Sequence, residues 1–87
     1  MKIVFLGNPN VSVSILSSLL KTDNDIVGVV SNSPKISGRG LKKRYTPVGL
    51  YAINKKLELL CLSSFKDEKL YRALKKLDSD LFIVVAF

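Results

Sequence analysis

Two apolar runs, near the two ends of the chain, most constrain what this sequence can fold into. Residues 2–6 read KIVFL and residues 81–87 read LFIVVAF, and neither run alternates with polar residues. A strand that is covered on both faces has this continuous pattern, whereas a strand with one solvated face alternates. Both runs therefore predict buried strands of a parallel sheet.

Helical and strand patterns alternate between these runs. Residues 11–20 have helical spacing, with two adjacent apolar rows formed by Val11, Ile15 and Leu19, and by Leu16 and Leu20. Asn10 is the expected N-cap of this helix. Residues 25–30 (DIVGVV) are rich in β-branched residues and predict a second strand. The first 30 residues therefore predict a right-handed βαβ unit.

The second half of the chain repeats this alternation. Thr46 and Pro47 are typical of an N-cap and first helical residue, and the helix should bury Val48, Tyr51 and Ala52 and run to about residue 55. Residues 59–62 predict a short strand, and the S-x-x-D pattern of residues 64–67 predicts the start of another helix. This last helix should have an apolar face of Leu70, Ala73, Leu74 and Leu77 and a solvated face of Lys69, Arg72, Lys75 and Lys76.

The order strand, helix, strand, loop, helix, strand, helix, strand predicts an α/β fold. We expect a Rossmann-like open parallel sheet with helices on both faces. All of residues 1–87 belong to one domain. Because a native domain seldom ends on an exposed apolar strand, we expect the sheet to be incomplete at its C-terminal end and the chain to be the N-terminal part of a longer catalytic domain.

Positive charge is concentrated in one segment. Against 14 Lys and Arg the chain has 7 Asp and Glu, a formal net charge of +7. Residues 31–45 predict a functional loop, and its centre has five cations and no acid: Lys35, Arg39, Lys42, Lys43 and Arg44. Such cations can contact nucleic-acid phosphates, and Tyr45 offers a stacking surface. A merely solvated basic loop remains the alternative.

The residues that the chain lacks exclude several kinds of site. There is no His, so a Ser-His-Asp triad or a His-ligated metal cannot be built from these residues, and we expect no catalytic residue and no metal. Cys61 is the only cysteine and is expected to be a small buried apolar residue. No disulfide within the chain and no membrane span are expected, which favours the cytoplasm or an organellar matrix.

Three segments resemble the formyltransferase family. Gly7, Asn8 and Pro9 follow the first strand where the family commonly has Gly-Thr-Pro, so Asn8 replaces the usual Thr. Residues 79–87 are similar to the family's Pro-Asp-Leu strand, which leads to a folate pocket. The segment with Gly38-Arg39-Gly40, Lys42-Lys43 and Thr46-Pro47-Val48 resembles a loop peculiar to the methionyl-tRNA formyltransferases.

This resemblance implies transfer of a formyl group from 10-formyltetrahydrofolate to methionyl initiator tRNA in translation initiation. The family's catalytic Asn, His and Asp would lie beyond Phe87. The basic loop would contact the tRNA acceptor arm through its five cations. The substrate pocket would be lined by Gly7, Asn8, Pro9, Ala86 and Phe87. The full-length protein is expected to be a monomer without a metal.

Two other functions stay open at the level of the sequence. The chain could belong to another folate-dependent formyltransferase, one that acts on a nucleotide or a sugar nucleotide. It could also be a module that binds RNA without catalysis. The Gly-Arg-Gly basic loop favours the tRNA enzyme over the first of these alternatives.

Overall fold

The computed structural model of the protein describes residues 1–37, 40, 42–63 and 68–87. Nine elements follow one another along the chain: β1 (Lys2–Gly7), α1 (Asn10–Leu20), β2 (Asp25–Asn32), β3 (Lys35–Ser37), β4 (Lys42–Arg44), α2 (Pro47–Asn54), β5 (Leu59–Leu62), α3 (Glu68–Leu77) and β6 (Leu81–Val85). Apart from β3 and β4, strands and helices alternate, which confirms the predicted α/β class.

The main sheet has four parallel strands in the order β5-β2-β1-β6. The two apolar runs lie side by side in it, with Ile3 opposite Leu81 and Gly7 opposite Val85. Since β1 is central, Ile3, Val4 and Phe5 are almost completely buried. β6 pairs with β1 but is the last strand of the order, and its residues Leu81, Phe82 and Val84 are exposed. The prediction of a buried strand is therefore confirmed for β1 and wrong for β6, which has a neighbouring strand on one side only among the described residues.

Helices cover both faces of this sheet. On one face, the α1–α2 face, Phe5 and Val29 pack with helix residues into a fully buried cluster, whose other members are Leu16, Val48 and Ala52. Gly28 points to the opposite face, because successive residues of a strand alternate. A Cβ added there would lie 2.6 Å from Cδ1 of Leu77. This glycine thus lets α3 approach the second face, the α3 face, closely.

The predicted N-cap of α1 is wrong. The helix already includes Asn10, and Pro9 is in the N-cap position without a side-chain hydrogen bond. Of the two predicted apolar rows, the first is partly exposed, with Val11 at 59% and Ile15 at 38%. Leu16 of the second row is buried, and so is Ser12, which lies in neither row. The Ser12 hydroxyl donates to the carbonyl oxygen of a residue in β6, which turns the Ser12 face toward the sheet.

The prediction of one loop over residues 31–45 is also wrong. The second strand continues to Asn32, because β5 pairs with it as far as the Asn32–Leu62 position. Beyond it, β3 and β4 form an antiparallel hairpin, and Gly40 has a φ of +85° in the connection between them. Gly38, Arg39 and Leu41 lie outside the described residues, as does the predicted helix start at residues 64–67.

The predictions for α2 and α3 are confirmed where the structure describes them. Thr46 caps α2, since its hydroxyl oxygen accepts a 3.0 Å hydrogen bond from the Gly49 nitrogen, and Pro47 is the first helical residue. Val48 and Ala52 are buried, with Tyr51 half-buried. The apolar face of α3 is half-buried and its four cations are exposed. No helix among the described residues is long and apolar enough to cross a membrane.

Candidate functional site

The strands are parallel, so the carboxyl ends of β1, β2 and β6 lie side by side at the same end of the sheet. We call this end of the sheet the ligand edge. In open parallel sheets this edge is where ligands bind. The Gly7-Asn8-Pro9 turn leaves β1 here, beside Ala86 and Phe87 at the end of β6, because Gly7 lies opposite Val85. The structure thus brings the five predicted pocket residues to one edge, and their role in a pocket stays a prediction.

Close packing at this edge depends on Gly7. A Cβ at that position would lie 2.8 Å from the Ser12 Cβ and 2.9 Å from the Val85 carbonyl oxygen. The Ser12 hydroxyl donates to the same oxygen at 2.6 Å. The end of β1, the first turn of α1 and the end of β6 therefore contact one another directly. Since Gly7 is buried and has no side chain, it supplies backbone to the site.

A hydrogen-bonded chain of polar side chains crosses the same edge. The Asn8 side-chain oxygen Oδ1 accepts from the Ser31 hydroxyl at 2.8 Å and from the Asn32 backbone nitrogen at 2.8 Å. The Ser31 hydroxyl also contacts the hydroxyl of Thr46, the N-cap of α2. In addition, the Val48 nitrogen donates to the Asn8 carbonyl oxygen at 3.2 Å. The turn after β1, the end of β2 and the start of α2 are thus held together.

The hairpin sorts the predicted tRNA-binding cations onto two faces. Directly opposed residues of an antiparallel pair share a face, and residues two apart on a strand do so too. Lys35 lies opposite Arg44, and Lys42 is two residues before Arg44, so these three share one face. Lys43 lies opposite Ile36 on the other face. All four cations are exposed, and Arg39 lies outside the described residues.

A cavity of about 420 Å³ lies at the base of the hairpin. Its lining has two cations, three uncharged polar side chains, an aromatic ring and no carboxylate: Lys35, Arg44, Asn32, Ser33, Thr46 and Tyr45. Two of these residues, Asn32 and Thr46, also belong to the polar chain that begins at Asn8. The cavity and the turn after β1 are therefore connected by hydrogen bonds.

Cys61 is only partly buried, so its expected full burial is not observed. Burial raises the pKa of its thiol, and the nearby Lys43 ammonium lowers that pKa by a smaller amount. A thiol with a raised pKa is mostly protonated at neutral pH and is a poor nucleophile. Among the described residues, no group of three His, Cys, Asp or Glu is arranged to hold a metal ion.

Comparison with known proteins identifies the family. The sequence model of the formyl transferase family matches residues 1–87. The chain belongs to the formyl transferase family. This agrees with the resemblance of the Gly7-Asn8-Pro9 turn and of the β6 strand, both of which the structure places at the ligand edge of a Rossmann-like sheet.

Similar relatives among the formyl transferases are methionyl-tRNA formyltransferases. The protein of that name from Flavobacterium johnsoniae is 41% identical over 87 residues, which is all of this chain and 28% of the relative. The Flavobacterium psychrophilum protein is 44% identical over 88 residues, with the same coverage. The Bacteroides fragilis protein is 40% identical and is covered to 27%. The chain thus spans little more than a quarter of these relatives.

The contact between Ser31 and Thr46 was not predicted from the sequence. Thr46 was correctly predicted as a helix cap, and Ser31 was placed at the start of a loop. Ser31 is completely buried. A polar residue directly after the apolar run of β2 was the available signal, but its partners lie 23 and 15 positions away in the sequence. Only the folded chain shows that they meet.

Proposed function

We propose that the protein carrying this chain transfers the formyl group of 10-formyltetrahydrofolate to the amino group of methionyl initiator tRNA. The observation that carries this proposal is a face of the hairpin with Lys35, Lys42 and Arg44, beside the edge where an open parallel sheet binds ligands. Relatives named methionyl-tRNA formyltransferase align with the whole chain at 40 to 44% identity.

In this proposal the described residues bind and orient the substrates. The three cations of the hairpin face and Arg39 contact phosphates of the acceptor arm, and Lys43, on the opposite face, contributes less. The exposed residues Ala86 and Phe87 border the pocket for the folate donor at the end of β6. The protein acts as a monomer in the cytoplasm or an organellar matrix.

The reaction is an acyl transfer between two nitrogen atoms. The methionyl amine attacks the formyl carbon, the bond from that carbon to N10 of the folate breaks, and the proton lost by the amine ends on N10. The tetrahedral intermediate has a negatively charged oxygen, which requires preorganised donors, and the amine requires a proton acceptor. We assign these roles to groups beyond residue 87, so the isolated 87-residue chain should have no activity.

The salt dependence of tRNA binding by the full-length protein tests the role of the hairpin. Each phosphate contact contributes roughly 0.7–0.9 to the slope of log K against log salt concentration. Replacing Lys35, Lys42 and Arg44 by Ala should therefore flatten the slope by roughly two to three units, while KM for the folate donor stays unchanged. The measurement is tRNA affinity and kcat/KM between low and moderate salt.

A matched control removes the same charges from another surface. The triple variant of Lys69, Arg72 and Lys76 to Ala loses two Lys and one Arg from the exposed side of α3. It should keep most of the wild-type slope. Equal slopes for the two triple variants would show that only the net charge matters, and would remove the hairpin from the tRNA interface.

A further inference from the structure

The Asn8 side chain at the ligand edge has an oxygen that accepts two hydrogen bonds and an NH2 group that is available to donate. Its amide orientation is fixed by the Asn32 backbone nitrogen, 2.8 Å away, because a backbone N–H can only donate. The atom facing it must therefore be the oxygen, Oδ1. The nitrogen, Nδ2, then points away from β2.

The direction of every hydrogen bond in the chain behind Asn8 follows from this assignment. Ser31 has one hydroxyl proton, and it is donated to Asn8 Oδ1 at 2.8 Å. In its contact with Thr46, Ser31 must then accept, so the Thr46 hydroxyl is the donor. The Thr46 oxygen accepts in turn from the Gly49 nitrogen at 3.0 Å. All three hydrogen bonds thus point the same way: in each of them the donor is on the α2 side and the acceptor is on the Asn8 side.

The two acceptor positions of Asn8 Oδ1 are both occupied, by Ser31 and by the Asn32 nitrogen. Within residues 1–37, 40, 42–63 and 68–87, Nδ2 has no hydrogen-bond partner. Asn8 is half-buried, whereas Ser31 behind it is completely buried. A ligand that reaches Asn8 therefore meets a fixed donor and needs an oxygen acceptor.

We propose that the Asn8 amide donates a hydrogen bond to an oxygen of the RNA substrate, and that Ser31 is the residue that positions this amide. The nature of the substrate rests on the function proposed above. The RNA is favoured over the folate donor because of the cavity at the base of the hairpin. Asn32 and Thr46, which are hydrogen-bonded to Asn8 and to Ser31, also line that cavity, together with the cations Lys35 and Arg44. Oxygens of phosphate, ribose or the aminoacyl ester are acceptors of the required kind.

Replacement of Asn8 by Asp in the full-length enzyme tests the donor. Asp keeps an oxygen for Ser31 and Asn32 and has nearly the same shape, but it replaces the NH2 group by a charged acceptor. We expect KM for the aminoacylated tRNA to rise about ten- to a hundredfold, with KM for the folate donor within about twofold of wild type. The unchanged folate KM also reports that the variant is folded.

Asn54→Asp is the matched control, since it makes the same chemical change at an exposed position at the C-terminal end of α2. It should leave both KM values unchanged. A rise in the folate KM of Asn8→Asp, or an unchanged tRNA KM, overturns the proposal. If wild-type enzyme is inactive, the function proposed above fails, and RNA affinity of wild type against Asn8→Asp, measured by fluorescence anisotropy, still decides the inference.

Ser31→Ala tests the positioning role. Without the Ser31 hydroxyl, Asn8 loses one of two bonds that fix its amide, so the tRNA KM should rise by a smaller factor than in Asn8→Asp, with kcat nearly retained. Because Ser31 acts through Asn8, the double variant should lose no more than Asn8→Asp alone. Losses that multiply would show that Ser31 acts on stability or on another contact, and would overturn its positioning role.

Discussion

The two faces of the sheet differ in how completely they are packed. On the α1–α2 face, Leu16, Val48 and Ala52 have no exposed surface, and the buried hydroxyl of Ser31 lies at the end of this layer. On the α3 face no residue of the helix is buried, and Phe82 and Val84 of β6 are 49% and 62% exposed. The site is thus built from the face that the chain packs completely. A rigid support is what a fixed donor such as Asn8 requires.

The largest expected effect concerns association of the isolated 87-residue chain through the α3 face and the β6 edge. Unpaired strand edges and exposed apolar side chains favour pairing with other chains. We expect concentration-dependent association in light scattering, reduced when Phe82 and Val84 are both replaced by Lys.

The control for association uses an exposed apolar pair of α1. Replacing Val11 and Ile15 of α1 by Lys adds the same charge on the α1–α2 side of the molecule. This variant should associate as the unmodified chain does. A monodisperse unmodified chain with cooperative unfolding would contradict the difference between the faces.

Truncation of one Leu on each face measures the packing difference directly. Leu16→Ala removes a fully buried side chain and should lower the free energy of unfolding by about 2–5 kcal/mol. Leu74→Ala removes a half-buried side chain of α3 and should cost about 1 kcal/mol, since less surface is lost. Urea unfolding followed by circular dichroism compares the two, and equal losses would show that the faces are packed alike.

Replacing the two glycines of the strands, Gly7 and Gly28, by Ala should lower stability by different amounts, and this difference should be smaller than that between the two Leu variants. In Gly7→Ala the new methyl group meets the Val85 carbonyl oxygen and the Ser12 Cβ, neither of which is a mobile chain end, so we expect a loss of about 1–3 kcal/mol. In Gly28→Ala it meets the far end of the flexible Leu77 side chain, which can move. That loss should be below about 1 kcal/mol. A larger loss at Gly28 in thermal unfolding would reverse the comparison.

The smallest effect concerns the Cys61 thiol. Since burial raises its pKa, the rate of alkylation by iodoacetamide should reach half its maximum at a higher pH than for a free thiol. Lys43 lowers the pKa, so Lys43→Ala should shift this profile to still higher pH. Lys42→Ala, a neighbouring change of the same charge, is the control and should shift it less.

The sequence alone determined the elements that depend on local pattern. The continuous apolar runs predicted that β1 and β6 are strands, because a strand covered on both faces has no solvent-facing residues to alternate. The expected burial is observed for β1 and not for β6. Thr46 and Pro47 predicted the start of α2, because capping and a fixed φ act within one turn of helix. The resemblance of the turn after β1 and of the basic segment also predicted the family to which the chain belongs.

Only the tertiary structure decided the rest. Asn32 is in a strand because β5 lies beside it, and Ser12 faces inward because a carbonyl oxygen of β6 accepts its proton. The division of the cations between two hairpin faces depends on strand register. The hydrogen bond between Thr46 and Ser31 joins residues 15 positions apart, and the one between Ser31 and Asn8 joins residues 23 positions apart. Hydrogen bonds over such separations form between strands and loops that folding brings together, so no local pattern in the sequence reports them.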